Sequence, residues 1–395
     1  MADHSLLCGI DVVSNEKELL DPGCRYALLS NEASVSKQGR SVKNALITQG
    51  LKITRLFSPE HGIKARGEDG RRQDDETDPE TGLPVTSLYG PQLKPPDQVA
   101  RDFDALVLDL PNVGARFYTY LWTMALLMEW CDSKRIPLII LDRPNPLGGD
   151  LDKAEGPYLK PEYMSFIGKW NIPIRFSLTL GELARCLKVE MKLEALPLRI
   201  IPVQGWSRIQ TNQSIDYPFT PPSPAIVDKT TIWTYPALCF LKATNISEGR
   251  GGPYSFQVAS APWIDGNELE KEMNNHSLPG CQFRFFKEKS TGIKYTGINC
   301  EGVRLKVNDF LTYDPVYSGL VSLAVIQRLY PDHFKWQPYP TFVNPSGAHH
   351  LELLTGTGEI IPWINHSPLD HLGQLKQLLA VPTWKERVLP YLLYD

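Results

Sequence analysis

The sequence predicts an α/β protein with two domains, the first of which is a parallel β-sheet covered by helices on both faces. In the first half of the chain, short apolar runs typical of strands alternate with helical segments, which is the pattern of a parallel sheet. A proline-dense stretch over 217–224 follows, and it can form neither a helix nor a central strand. Beyond it the pattern is mixed and less regular. We therefore expect a first domain over residues 1–215 and a smaller α+β domain over residues 216–395.

The individual elements follow from the positions of the apolar runs. The predicted strands lie at 26–29, 53–57, 85–88, 105–108, 138–141 and 198–203. The predicted helices lie at 41–49, 117–135 and 179–191. In such sheets, ligands bind in the crevice beyond the carboxyl ends of the strands. The search for functional residues therefore starts at those ends.

Composition excludes several classes of protein. The chain has 395 residues and a net charge of −4, so it has no basic excess for nucleic acid, and nothing supports a membrane partner. Its seven cysteines include no C-x-x-C pair, which fits scattered free thiols in a reducing compartment. The N-terminal residues show no signal peptide, and no stretch is long enough to span a membrane. We expect the sequence as given to be cytoplasmic, unless an export signal has been removed; it does not predict an oligomeric state.

Sequence motifs of the common nucleotide and hydrolase families are missing. There is no G-x-G-x-x-G after the first strand and no P-loop, which disfavours NAD enzymes and P-loop ATPases. There is also no H-E-x-x-H and no G-x-S-x-G, which disfavours zincins and α/β-hydrolases. The chemistry is therefore expected from other residues.

Three predicted strands end in acidic residues, namely Glu60, Asp109 and Asp142. If the sheet is parallel, all three face the same edge. A long charged segment over 64–82, called the flap below, follows Glu60. Loops of this length tend to be functional or mobile, and we interpret this one either as a cover over a site or as a disordered insertion.

The segment 58–62, Ser-Pro-Glu-His-Gly, fixes Glu60 at the end of its strand. Proline restricts the backbone and Gly62 permits a tight turn. Glu60 is therefore a candidate general acid or nucleophile. The alternative is a structural turn whose glutamate pairs with an arginine. His61 could assist Glu60 or cap the strand.

Three further segments combine polar groups in stiff or glycine-rich surroundings. The segment 244–251 combines Asn245, Glu248 and Arg250 with two glycines, a set suited to a sugar ring, or else to a capping turn. The segment 142–146 contains Arg143, which could bind a carboxylate through paired N–H groups, or form an internal pair with its neighbouring aspartate. The segment 112–120 carries aromatic side chains that could stack on a sugar or pack in the core. The adjacent histidines 349 and 350 are interpreted as packed or solvated.

Taken together, these motifs resemble the NamZ family of exo-β-N-acetylmuramidases. The matching segments run almost end to end, at 56–62, 81–85, 87–90, 113–120, 141–146, 155–157, 181–184, 205–206, 244–251 and 261–263. The resemblance implies a Rossmann-like first domain without a nucleotide and a smaller second domain that completes the active-site cleft. It also implies release of N-acetylmuramic acid from the non-reducing ends of peptidoglycan fragments.

The resemblance assigns Glu60 and Glu248 as the catalytic carboxyls, with Glu60 as the general acid or with the roles reversed. Nine polar side chains around them are expected to bind the substrate, and this chemistry needs no metal or organic cofactor. Asp109 and Asp142 would hold sugar hydroxyls or affect the ionisation of Glu60 by like-charge repulsion. The lactyl carboxylate of the sugar would be bound by Arg143, Arg250 or Arg116 through paired N–H groups. The expected binding residues are His61, Asp109, Arg116, Tyr118, Asp142, Arg143, Asn145, Asn245 and Arg250.

Four positions depart from the family pattern. They are Asn112, Phe176, Ala225 and Gly252, where the family has Asp, His, Asn and Thr. If these positions touch the substrate, another sugar or weak activity is expected. Two rival functions follow: a non-catalytic binding protein for muramyl sugars, and a metal-dependent hydrolase that uses Glu60, His61, Asp109 and Asp142.

Overall fold

A seven-stranded sheet organises the first half of the chain. The structure, a computed structural model, describes residues 6–366 and 369–395. The strands are β1 (Arg25–Leu29), β2 (Lys52–Ser58), β3 (Glu76–Thr77), β4 (Pro84–Ser87), β5 (Ala105–Leu108), β6 (Leu138–Leu141) and β7 (Leu198–Ile201). Their order is β3-β4-β2-β1-β5-β6-β7, and every pairing is parallel except that of β3 with β4. The predicted parallel sheet is confirmed.

Helices cover both faces of this sheet, as predicted. They are α1 (Gly9–Asn15), α2 (Val42–Thr48), α3 (Tyr120–Lys134) and α4 (Leu180–Glu190). Alternate residues of a strand point to opposite faces. Accordingly, Leu28 packs in one buried cluster with Leu46 of α2, while Leu29 packs in another with Leu121 of α3 and Leu183 of α4.

The starts of the helices follow from their capping residues. The Ser41 hydroxyl accepts a hydrogen bond from the amide of Asn44, and Thr179 forms a capping box with Glu182. The helix predicted from residue 117 begins instead at Tyr120. The residues before it form a turn, which places the Thr119 hydroxyl against Glu60.

The second half combines an antiparallel sheet with seven helices among its described residues. The sheet contains β8 (Val258–Ala261), β9 (Cys281–Lys289) and β10 (Asn299–Val307) in the order β8-β10-β9. The helices are α5 (Lys229–Leu238), α6 (Gly266–Asn275), α7 (Pro315–Leu329), α8 (His350–Thr355), α9 (Ile360–His366), α10 (Leu372–Leu379) and α11 (Trp384–Val388).

One hydrophobic cluster joins the two halves. It contains Leu121 of α3, Tyr235 of α5 and Leu320 of α7. The core therefore crosses the predicted domain boundary at residue 215, and the position of that boundary stays a prediction.

All seven cysteines are free thiols, as expected. Within the described ranges, no helix is long and apolar enough to cross a membrane. The first five residues, on which the signal-peptide prediction partly depends, lie outside the described residues.

Candidate active site

A cavity, with about 640 Å³ of open space when the solvent at its mouth is included, lies where residues of both halves meet. Small-molecule sites commonly combine apolar walls with a few polar groups. The first half contributes Glu60, His61, Asp69, Gly70, Tyr89, Phe117, Tyr118, Thr119, Ser165, Phe166 and Ile167. The second half contributes Tyr235, Cys239, Lys242, Thr341, Val343, Asn344, His350, Leu353 and Leu354. We call this cavity the pocket.

Glu60 lies buried in the pocket just beyond β2. Its Oε1 accepts a hydrogen bond from the amide of Gly70 at 2.7 Å, and its Oε2 accepts one from the Thr119 hydroxyl at 2.7 Å. No lysine or arginine among the described residues forms an ion pair with it, so the alternative of a structural Glu–Arg turn does not apply. His61 adopts a left-handed backbone with φ of 71° and places Nδ1 2.7 Å from the carbonyl of Gly67.

Asp69 of the flap is the second carboxyl of the pocket. Its Oδ2 accepts hydrogen bonds from Lys242 at 2.8 Å, Arg250 at 2.8 Å and the Tyr339 hydroxyl at 2.5 Å. Burial opposes its ionisation, but the charges of Lys242 and Arg250 hold the pKa of Asp69 well below its usual value. The two carboxyls thus have different surroundings, neutral donors around one and cations around the other. Different surroundings allow one carboxyl of a pair to act as the acid while the other stays ionised.

The same residues could in principle offer three ligands to a metal ion. One ligand atom each of Glu60, His61 and Asp69 lies within 4.8 Å of the others. The positive charges of Lys242 and Arg250, however, already pair with Asp69 and would repel a cation there. The charges therefore do not suit a metal centre.

Glu248 does not line the pocket. Its Oε1 lies 2.5 Å from Nε of Arg250, and its Oε2 lies 2.9 Å from Nζ of Lys294. Burial opposes ionisation here too, but these two cations lower the pKa of Glu248 to about 2. Glu248 thus lies behind Asp69, to which Arg250 connects it, and it is not among the residues that line the pocket.

The other two acids at strand ends lie at the expected edge of the sheet, but away from the pocket walls. Asp109 forms an ion pair with Arg143, whose Nε and Nη2 lie 2.5 and 3.1 Å from its carboxylate oxygens. Asp142 accepts hydrogen bonds from Thr179, Gly181 and Tyr394. The neighbours of each aspartate already supply hydrogen bonds to its carboxylate. The two aspartates therefore share an edge of the sheet with Glu60 but do not share its pocket.

Three more of the expected binding residues tie the chain together. Arg116 is fully buried and donates to the carbonyls of Pro157, Ile172, Leu354 and Thr355. The Asn145 side chain bonds to the backbone of Leu147 and Leu178, and the Asn245 side chain to that of His333 and Lys335. None of the three lines the pocket.

Tyr118 does line the pocket, and its buried hydroxyl forms no hydrogen bond of standard geometry within the described residues, although the hydroxyls of Ser223 and Tyr120 lie near it. Of the expected site residues, the pocket therefore brings together Glu60, His61 and Tyr118. Arg250 reaches it indirectly, through Asp69. The four positions that depart from the family pattern are absent from its walls, and Phe176 among them is a core residue.

Sequence reasoning missed Asp69, Lys242 and the role of His350. Asp69 lies in the flap, but nothing local distinguishes it from the other acids of that segment. Lys242 follows α5 in a short 3-10 turn, Cys239–Ala243, without any motif of its own. His350 is packed, as one of the two interpretations of the histidine pair proposed, and it also lines the pocket.

Comparison with known proteins gives a consistent result over nearly the whole chain. Models described as the N-terminal and C-terminal parts of exo-beta-N-acetylmuramidase NamZ match residues 26–230 and 233–394. A peptidoglycan beta-N-acetylmuramidase NamZ of Bacillus subtilis (strain 168) is 37% identical over 340 residues, which cover 86% of this chain and 81% of that relative. Two crystal structures of DUF1343 family proteins from Bacteroides fragilis each cover 99% of both chains. Their TM-scores are 0.88 and 0.73, at 28% and 25% identity.

Proposed function

This chain belongs to the NamZ family of exo-β-N-acetylmuramidases, and on that premise we propose that it is a glycoside hydrolase. It releases N-acetylmuramic acid from the non-reducing ends of peptidoglycan fragments. The observation that carries this proposal is the pair of carboxyls, Glu60 and Asp69, inside one pocket lined by both halves of the chain. Most glycosidases use two carboxyls that flank the scissile bond, or one carboxyl and the substrate's own acetamido group.

Glu60 is the general acid in this proposal. It gives its proton to the glycosidic oxygen as the bond from that oxygen to the anomeric carbon breaks. In the second step, water attacks the anomeric carbon, the bond that the acetamido oxygen formed to that carbon in the first step breaks, and Glu60 takes a proton from the water. The neutral donors Gly70 and Thr119 hold the Glu60 carboxyl in place through both steps.

Asp69 is the ionised partner. It stabilises the positive charge that develops on the sugar ring and orients the acetamido group, whose oxygen attacks the anomeric carbon. We do not assign it as the nucleophile, because two cations and a hydroxyl bond to its carboxylate and lower its nucleophilicity. The acetamido oxygen displaces the leaving group in the first step, and water displaces the acetamido oxygen in the second. Because each displacement inverts the anomeric carbon, the proposal includes overall retention of configuration.

Hydrolysis of a chromogenic β-N-acetylmuramide tests these roles. Glu60→Gln is expected to lower kcat by about 10²–10⁴-fold, the usual contribution of a general acid, with little change in KM. Asp69→Asn is expected to lower kcat as well. Glu68→Gln is the matched control, because Glu68 lies in the same flap with its side chain 82% exposed. NMR of the first-formed product is expected to show the β-anomer.

Two outcomes would contradict the proposal. Full activity of Glu60→Gln would remove Glu60 from the chemistry. Tight binding of muramyl sugars by the wild type, without turnover of any muramide, would identify a binding protein instead.

A further inference from the structure

The pocket contains a single lysine and no arginine among its described lining residues. This residue is Lys242, whose side chain is 10% exposed. Its ammonium group donates to Asp69 at 2.8 Å and lies 4.2 Å from the centre of the Tyr339 ring. An ammonium group has three N–H donors, and within the described structure only one of them has a hydrogen-bond acceptor. The remaining donors are available to a ligand.

The charges around Lys242 do not balance. Three cations, on Lys242, Arg250 and Lys294, face two carboxylates, on Asp69 and Glu248. Two other titratable side chains of the pocket lie close to this cluster. Burial, reinforced by Lys242, keeps the pKa of His350 well below its usual value, and burial raises the pKa of Cys239 to about 11, so both are neutral near pH 7.

The five side chains Lys242, Arg250, Lys294, Asp69 and Glu248 therefore carry one positive charge in excess. An uncompensated buried charge is costly, and an anion that binds beside it recovers part of that cost. Lys242, which lines the pocket and has N–H donors without an acceptor among the described residues, is thus suited to an anionic group of a ligand.

We propose that Lys242 binds the lactyl carboxylate of N-acetylmuramic acid and thereby determines the preference for this sugar over N-acetylglucosamine. The inference rests on the proposed function, because the lactyl ether group, which carries the carboxylate, is what distinguishes N-acetylmuramic acid from N-acetylglucosamine. The arginines expected to bind this carboxylate have other partners. Arg116 donates hydrogen bonds to four backbone carbonyls, and Arg143 forms an ion pair with Asp109. Arg250 lies behind Asp69 and does not line the pocket.

Calorimetric binding of three ligands tests this assignment without depending on turnover. The ligands are N-acetylmuramic acid, its methyl ester, which lacks the charge, and N-acetylglucosamine. The wild type is expected to bind the acid more tightly than the ester. Lys242→Met is expected to weaken binding of the acid by about 30-fold or more, since loss of one partner of a buried charge pair commonly has effects of this size or larger. Binding of the ester is expected to change by less than about threefold.

Controls separate a specific role from a structural one. Lys271→Met on α6 removes an exposed lysine and is expected to leave all three affinities unchanged. If Lys242→Met does not fold, Lys242→Gln replaces it, because glutamine keeps a donor for Asp69 and loses only the charge.

Three results would overturn the inference: equal loss of affinity for acid and ester, an acid preference that survives in the variants, or no acid preference in the wild type. Absence of hydrolysis together with an intact, Lys242-dependent acid preference would instead contradict only the proposed hydrolase activity.

Discussion

Arg250 Nη1 lies 2.8 Å from Asp69 Oδ2, so a guanidinium from the second half of the chain fixes a carboxylate from the flap of the first. The two residues are 181 positions apart in the sequence. Glu248 holds the same guanidinium from the other side through Nε. Residues of both halves therefore hold Asp69 in the pocket. A substitution of Glu248 is expected to alter substrate binding by displacing Arg250 and, with it, Asp69.

Removal of the Tyr118 hydroxyl is expected to weaken substrate binding without loss of stability. A buried hydroxyl without a well-formed hydrogen bond contributes little to stability, so Tyr118→Phe should leave the Tm unchanged or raise it. If the hydroxyl bonds to the sugar, KM should rise about 2–10-fold, the value of one hydrogen bond. Thermal unfolding and steady-state kinetics measure the two effects.

Tyr120→Phe is the matched control and should lower the Tm, because the Tyr120 hydroxyl bonds to Asn31 and Pro222. An unchanged KM in Tyr118→Phe would contradict a binding role.

Glu248→Gln is expected to destabilise the protein by about 3–5 kcal/mol at pH 7, because Arg250 and Lys294 would lose a buried partner. The effect should depend on pH. The folded-state pKa of Glu248 is lowered from 4.5 to about 2, so its contribution is present above pH 4.5 and is lost as the pH falls through about 2. The difference between wild type and variant should therefore shrink between pH 4.5 and 2.

Urea unfolding at several pH values within that window measures this difference. Glu68→Gln, which changes an exposed glutamate, should show no such convergence with the wild type. A difference that stays constant down to pH 2 would show that Glu248 is not held by its two cations in the way described.

Asp109→Asn is expected to affect stability and not catalysis. Asp109 is fully buried and pairs with Arg143, so the substitution leaves a buried guanidinium without its anion and should cost about 3–5 kcal/mol. At a temperature well below the Tm, kcat/KM should stay within about threefold of the wild type, because Asp109 does not line the pocket. A loss of kcat with unchanged stability would contradict this prediction and would indicate that Asp109 acts in catalysis.

Chelation of divalent metals is expected to leave activity unchanged. Lys242 and Arg250 supply positive charge to Asp69, where a metal ion would otherwise have to lie. Activity measured after dialysis against EDTA should therefore equal that of the untreated protein. Loss of activity that a divalent cation restores would favour the metal-dependent alternative.

Local sequence patterns were sufficient to predict much of the fold and one of the two carboxyls of the pocket, Glu60. The apolar runs located six of the seven strands of the large sheet, and the exception is the two-residue β3. Ser41 and Thr179 marked helix starts because capping involves only neighbouring residues. Glu60 was identified for the same reason, since its strand end and the glycine turn after it are local features.

The sequence by itself determined the strands, the capped helices and the position of Glu60, all of which depend on interactions between near neighbours. Only the tertiary structure decided which groups face Glu60. It selected Asp69 through contacts with Lys242 and Arg250, 173 and 181 residues away, and it enclosed Glu248 between two cations. Buried charges must find partners in three dimensions, and those partners depend on how the halves pack and not on spacing along the chain.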